Sequence, residues 1–150
     1  MDDDRMTMKK ISGSVSFYMK VTQGLEVTET SYTTEGIYYK KNNMCFLFFD
    51  EINIDNNQIT KCRLEFDAEN IRIRRNGPII VDQRYTINTL VDGYIKTPYG
   101  ELNSVVKTHR YNIEEYEDKL QINLDYDLII ANERVGNYKL IIQFKKEDMS

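Results

Sequence analysis

The segment Leu120-Gln121-Ile122-Asn123-Leu124-Asp125-Tyr126-Asp127-Leu128 alternates apolar and polar residues without a fault. Side chains along a strand point to opposite faces in turn, so this pattern predicts a half-buried antiparallel strand, apolar on one side and wet on the other. The period returns in Tyr138-Lys139-Leu140-Ile141-Ile142-Gln143-Phe144-Lys145 and, less cleanly, across residues 102–110. Strands this long with one apolar face need a second sheet or closure on themselves, and the chain reads as an antiparallel β-barrel or sandwich.

The remaining segments agree. Residues 11–21 and 27–39 are rich in β-branched and aromatic side chains and are parted by Gln23-Gly24, a hairpin signal. Asn42-Asn43 turns the chain into the unbroken apolar run Met44-Cys45-Phe46-Leu47-Phe48-Phe49, which reads as a central strand covered on both faces. Asp55-Asn56-Asn57 opens a turn before Thr60-Lys61-Cys62-Arg63-Leu64-Glu65-Phe66, and Asn76-Gly77-Pro78 separates strands over residues 71–75 and 79–85. Between Asp92 and Gly100 the pattern lapses, and Thr97-Pro98-Tyr99-Gly100 reads as a turn. Residues 113–119 look like a solvated hairpin loop rather than a helix. The expectation is about eight to ten strands, forming one domain over residues 11–150 after a loose charged arm at residues 1–10.

At 150 residues the chain can bury roughly two-thirds of its unfolded surface and hold a core without staples. Its two cysteines, Cys45 and Cys62, lie in strand-like runs among apolar neighbours, and the start Met1-Asp2-Asp3-Asp4 is no secretory leader, so a cytoplasmic protein with reduced, inert thiols is expected. No apolar run is long enough for a membrane helix, and no membrane role is expected. Twenty basic and 24 acidic residues, both scattered, argue against a nucleic-acid groove.

Chemistry is sparse. His109 is the single histidine, and strand parity over Leu102, Ser104, Val106, Thr108 and Arg110 puts it on the opposite, solvated face. No Cys-x-x-Cys pair, phosphate loop or convergent carboxylate pair is present, and Asp125 and Asp127 face outward by parity. Neither an enzyme nor a cofactor or metal site is expected. Arg75 stands out because in Ile71-Arg72-Ile73-Arg74-Arg75 it shares the inward face with two isoleucines, whereas Arg72 and Arg74 face out. An inward guanidinium must reach water at a barrel mouth, pair with a carboxylate such as Asp50 or Glu51, or anchor an anionic ligand. Among the 11 tyrosines, Tyr126 lies on an inward face, and Tyr94 and Tyr99 flank the irregular turn.

The order of these signals resembles a known family. Tyr38-Tyr39-Lys40-Lys41-Asn42-Asn43 leads to Phe49-Asp50-Glu51; Arg75-Asn76-Gly77 precedes Gln83-Arg84-Tyr85; then follow Tyr94, Thr97-Pro98-Tyr99-Gly100-Glu101-Leu102, Thr108, Leu124-Asp125-Tyr126 and Asn137. This is similar to the YwiB-like family of uncharacterised bacterial proteins, which implies a calycin-like, lipocalin-like β-barrel, a bacterial cytoplasmic setting and an interior cavity. The chain departs from it at Phe48-Phe49-Asp50-Glu51, where the family often carries a tyrosine before the acid.

Two functional expectations follow. In one, the barrel binds a small amphipathic or acidic ligand, with Arg75 as polar anchor and Tyr94, Tyr99, Thr108 and Tyr126 lining the pocket. In the other, Leu64, Phe66, Leu120, Ile122, Leu124, Ile142 and Phe144 fill the interior, and the barrel is a protein-interaction or self-assembly module, a homodimer included, with outer residues such as Ile141 and Ile80 contributing contact surface.

Overall fold

The computed structural model describes residues 9–147. Ten strands run β1 (Ile11–Gln23), β2 (Glu26–Lys41), β3 (Met44–Ile52), β4 (Ile59–Phe66), β5 (Asn70–Asn76), β6 (Ile80–Thr86), β7 (Leu90–Thr97), β8 (Gly100–Glu115), β9 (Lys119–Ile130) and β10 (Glu133–Lys146). Each pairs antiparallel with its sequence neighbour, and β1 pairs with β10, so the meander closes into a barrel. Closure leaves no edge strand for another chain to extend. Strand β1 begins at Ile11, and residues 1–8 of the arm expected over residues 1–10 lie outside the described residues.

Tight turns hold the registers. Gly24 takes a φ of 61°, which lets β1 and β2 pair from Ile11↔Tyr38 to Gln23↔Glu26. Asn42 (φ 58°) turns β2 into β3, and Ala131 and Asn132 (54° and 64°) form the primed turn between β9 and β10.

Two expectations about local structure are corrected. The lapse between Asp92 and Gly100 is mostly strand β7, which closes in the expected Thr97–Gly100 turn with Pro98-Tyr99 at its tip. Its period is hard to see because Gly93 occupies the inward row. A Cβ there would lie 1.8 Å from Gln83 Oε1. Strands β6 and β7 pair backbone to backbone only from Ile80↔Lys96 to Asp82↔Tyr94. Beyond that the buried Gln83 side chain takes over: Nε2 donates to the carbonyls of Arg84 (2.9 Å) and Val91 (3.2 Å), and Ser104 Oγ on β8 donates to Oε1 (2.8 Å). The second correction concerns Arg110. Pairing of β8 with β9 shifts register between Thr108 and Arg110, a bulge at His109. The extra residue reverses the parity, so Arg110 is exposed and Tyr111 is buried.

The interior is divided. Toward the end that carries the turns at residues 42–43, 67–69, 87–89 and 116–118, the barrel is packed with Val15, Cys45, Leu47, Phe66, Ile71, Tyr111, Leu120, Ile122 and Phe144. Each large apolar side chain fully buried there stabilises the fold by roughly 1.5–3 kcal/mol. The other half is hollow. Ten strands enclose more than eight do, and eight already leave room for one small ligand.

Candidate functional site

The hollow half is a cavity of about 220 Å³ whose walls come from all ten strands. Its surface is mainly apolar: Phe49, Leu64, Ile73, Ile95, Val106, Leu128, Leu140 and Ile142. Two aromatic pairs face the space. Phe17 stacks on Tyr32 across β1 and β2 at 4.8 Å, and Tyr126 stacks on Tyr138 across β9 and β10 at 5.3 Å, with Tyr85 tilted against Tyr126 at 4.7 Å. Burial pushes the Tyr85 phenol up to about 12 and the Tyr126 phenol well above its ordinary value, so both stay neutral hydrogen-bonding groups.

Polar chemistry collects at the mouth. Arg75, last inward residue of β5, points into the barrel as its parity with Ile71 and Ile73 required. Its Nη2 donates to Glu51 Oε1 at 2.7 Å, and the two side chains keep 39% and 31% of their surface in solvent. The pairing expected with Asp50 or Glu51 is therefore with Glu51. Tyr32 donates a second bond to the same oxygen at 3.2 Å, which supplies from β2 the hydroxyl that Phe49 lacks. Burial, then Cys62 and Glu51, push the Tyr32 phenol far up. Cys62 sits directly across β4–β5 from Arg75, and burial raises its thiol to about 11 despite the cation beside it. A thiol that stays protonated is a poor nucleophile.

Of the five residues expected to form the site, the structure brings Arg75 and Tyr126 to the cavity. Tyr94 lies on the outer row of β7 and donates to Glu101 on β8. Tyr99 is fully exposed at a hairpin tip. Thr108 is fully buried in the wall at the bulge, where its carbonyl accepts from Asn88 N–H at 2.8 Å and its Oγ1 has no partner; it does not line the cavity. Residues that the sequence reading did not place there are Tyr32, Tyr85, Tyr138, Gln83 and Ser104. Tyr85 and Gln83 could have been found from the inward parity of β6; Tyr32 could not, because its partner Glu51 is 19 positions away on β3.

Outside the barrel, His109 at the bulge contacts Asp127 (3.0 Å), which also accepts from Arg134 and Asn137, both at 3.1 Å. Burial alone would raise the Asp127 carboxyl, but these three partners outweigh it and hold it well below the usual carboxylate range. Arg72 pairs with Asp82 and Arg74 with Glu65 on the outer face, as parity required. Among the described residues no cluster of His, Cys, Asp and Glu is placed to hold a metal ion.

The sequence profile described as Domain of unknown function (DUF1934) matches residues 15–142. The chain belongs to the DUF1934 family. It is similar to the uncharacterized beta-barrel protein YwiB of Bacillus subtilis (strain 168), 22% identical over 115 residues that make up 76% of this chain and 79% of that protein. The crystal structure of that YwiB protein superposes with a TM-score of 0.82 at 19% identity, over 96% of this chain and 98% of that one. At such identity the likeness shows the fold alone, so for this DUF1934 member the function must be argued from the cavity.

Proposed function

We propose that this DUF1934 chain is a non-catalytic binding barrel that holds a small amphipathic ligand in its open half. The observation that carries the reading is the cavity: about 220 Å³, apolar and aromatic inside, with one ion pair at its mouth. That volume lies between the roughly 150 Å³ that accommodates benzene and the roughly 300 Å³ at which drug-sized pockets begin. A compact ligand with an apolar body and one polar head fits it. The ten-stranded meander with one packed and one hollow end supports a calycin-like, lipocalin-like assignment, the architecture in which a barrel end serves as ligand mouth. Two free buried thiols suit a reducing cytoplasm.

A methyl-labelled sample titrated with toluene tests this. Shifts are expected at Ile73, Ile95, Val106, Leu128 and Leu140 and not at Ile71 and Leu120 in the packed half. Absence of any cavity shift at saturation removes the reading.

A second reading, self-association, is favoured by the rim. Leu25, Ile54, Ile79 and Tyr99 stand exposed at the tips of four of the five hairpins that surround the mouth, against two of the four turns at the opposite end, which carry Ile87 and Tyr116. Two copies meeting mouth to mouth would cover those side chains. Sedimentation of the wild type against a Leu25→Ser/Tyr99→Ser variant tests it: a dimer lost in the variant supports the interface, and a monomer at high concentration excludes it.

A further inference from the structure

We propose that the cavity selects a ligand whose polar head is uncharged and presents a hydrogen-bond acceptor beside a donor, as a primary carboxamide does, and rejects the carboxylate of the same carbon skeleton. This rests on the binding-barrel reading and adds the class of ligand.

Among the described residues that line the cavity, Arg75 and Glu51 are the two that carry charge, and they are bonded to each other at 2.7 Å. The site is therefore neutral before a ligand arrives. A carboxylate entering it would meet a guanidinium already neutralised and a like charge beside it, while losing its own hydration in a largely apolar space. That combination penalises an anion even though an arginine is present.

Hydrogen-bonding capacity says what fits instead. Arg75 spends one N–H on Glu51 and has further donors in its fixed planar fork. Glu51 accepts twice on Oε1, from Arg75 and Tyr32, while Oε2 accepts from no described residue. The mouth thus offers a free donor next to a free acceptor. A carboxamide satisfies both with its C=O and its NH₂, without transferring charge; a hydrocarbon leaves both unmet; a carboxylate meets the donor and repels the acceptor. The aromatic pairs Phe17–Tyr32 and Tyr126–Tyr138 suit a flat apolar body behind that head.

Glu51 is then the specificity determinant. Replacing it by Gln keeps an acceptor oxygen but removes the charge that neutralises Arg75, so the same mouth should become an anion site. The test titrates the full-length wild type and Glu51→Gln with benzamide, benzoate and toluene at neutral pH, reading affinity by calorimetry or chemical-shift change, with thermal unfolding as control of the fold. Wild type should bind benzamide about tenfold or more tighter than either benzoate or toluene, and Glu51→Gln should reverse the order of benzamide and benzoate. Benzoate binding wild type as well as benzamide, toluene binding equally well, or an unchanged order in a folded Glu51→Gln would overturn the head-group inference and leave the binding barrel standing. No binding of any of the three to wild type would remove the binding reading itself. If Glu51→Gln fails to fold, the wild-type order alone decides.

Discussion

Replacing Gly93 by alanine should unfold the β6–β7 corner of the barrel from inside. The added Cβ would sit 1.8 Å from Gln83 Oε1, 2.4 Å from its Cδ and 2.7 Å from Ser104 Oγ, so the Gln83 amide must leave its position. Leaving breaks three bonds, to the carbonyls of Arg84 and Val91 and from Ser104 Oγ. At about 1 kcal/mol net for each buried bond the loss is ~3 kcal/mol. Alanine in place of a strand glycine returns about 0.5–1 kcal/mol. The expected net destabilisation is ~2 kcal/mol, and for a domain of this size that lowers Tm by about 4–8 °C. Urea unfolding followed by circular dichroism measures it, with the slope checked for two-state behaviour. The decisive comparison is made in a Gln83→Ala background, where the amide is gone and the one close neighbour left is Ser104 Oγ at 2.7 Å, a hydroxyl that can turn away once its partner Oε1 is absent. There Gly93→Ala should be neutral or stabilising, which makes the two changes strongly coupled. An equal cost of Gly93→Ala in both backgrounds would refute the idea that the Gln83 side chain replaces the missing β6–β7 ladder.

Three further outcomes are expected. Thr108→Val should leave stability unchanged or raise it by up to about 1 kcal/mol, because the buried Oγ1 has no partner to lose; a clear loss of stability in thermal melts would mean that the hydroxyl is bonded after all. Arg75→Met should cost less than about 1 kcal/mol, since the Arg75–Glu51 pair is solvated at the mouth and screened, yet it should abolish ligand retention; a loss of several kcal/mol would show a structural pair instead. Iodoacetamide at pH 8 should label Cys62 far more slowly in the native protein than in urea, because burial holds the thiol protonated up to about 11; the labelling should accelerate only as pH rises toward that value, and equal native and unfolded rates in peptide mass mapping would contradict it.

Much of the barrel could be read from the chain because strand parity is strict. Alternation in Leu120 to Leu128 lies in β9, the hairpin signalled by Gln23-Gly24 turns at Gly24-Leu25, Asn42-Asn43 is a turn, and the shared face of Ile71, Ile73 and Arg75 is the inner one. Parity fails wherever one residue is inserted or one side chain is missing. The bulge at His109 reversed the faces beyond it, which is why Arg110 was expected with the inward row. Gly93 left a gap in β7 that only the Gln83 side chain, from another strand, explains. The site was legible in part for the same reason. Arg75 and Tyr126 follow from the parity of their own strands; nearness to a turn is a poorer guide, because Tyr94 sits on the outer row of β7 between Gly93 and Ile95, and Tyr99 is fully exposed at the hairpin tip. Whether the interior is full depends on the summed volumes of inward side chains from every strand. No single segment reports that sum, and the answer differs between the two ends.

Native mass spectrometry of the freshly purified chain, run beside a Val81→Phe variant whose larger side chain fills the cavity from β6, decides whether the barrel holds a ligand. A reproducible small-molecule adduct is expected on the wild type, leaving on denaturation and missing from the folded variant. A wild type that stays bare even after incubation with benzamide, or an adduct that Val81→Phe retains in full, would contradict a ligand held inside the barrel.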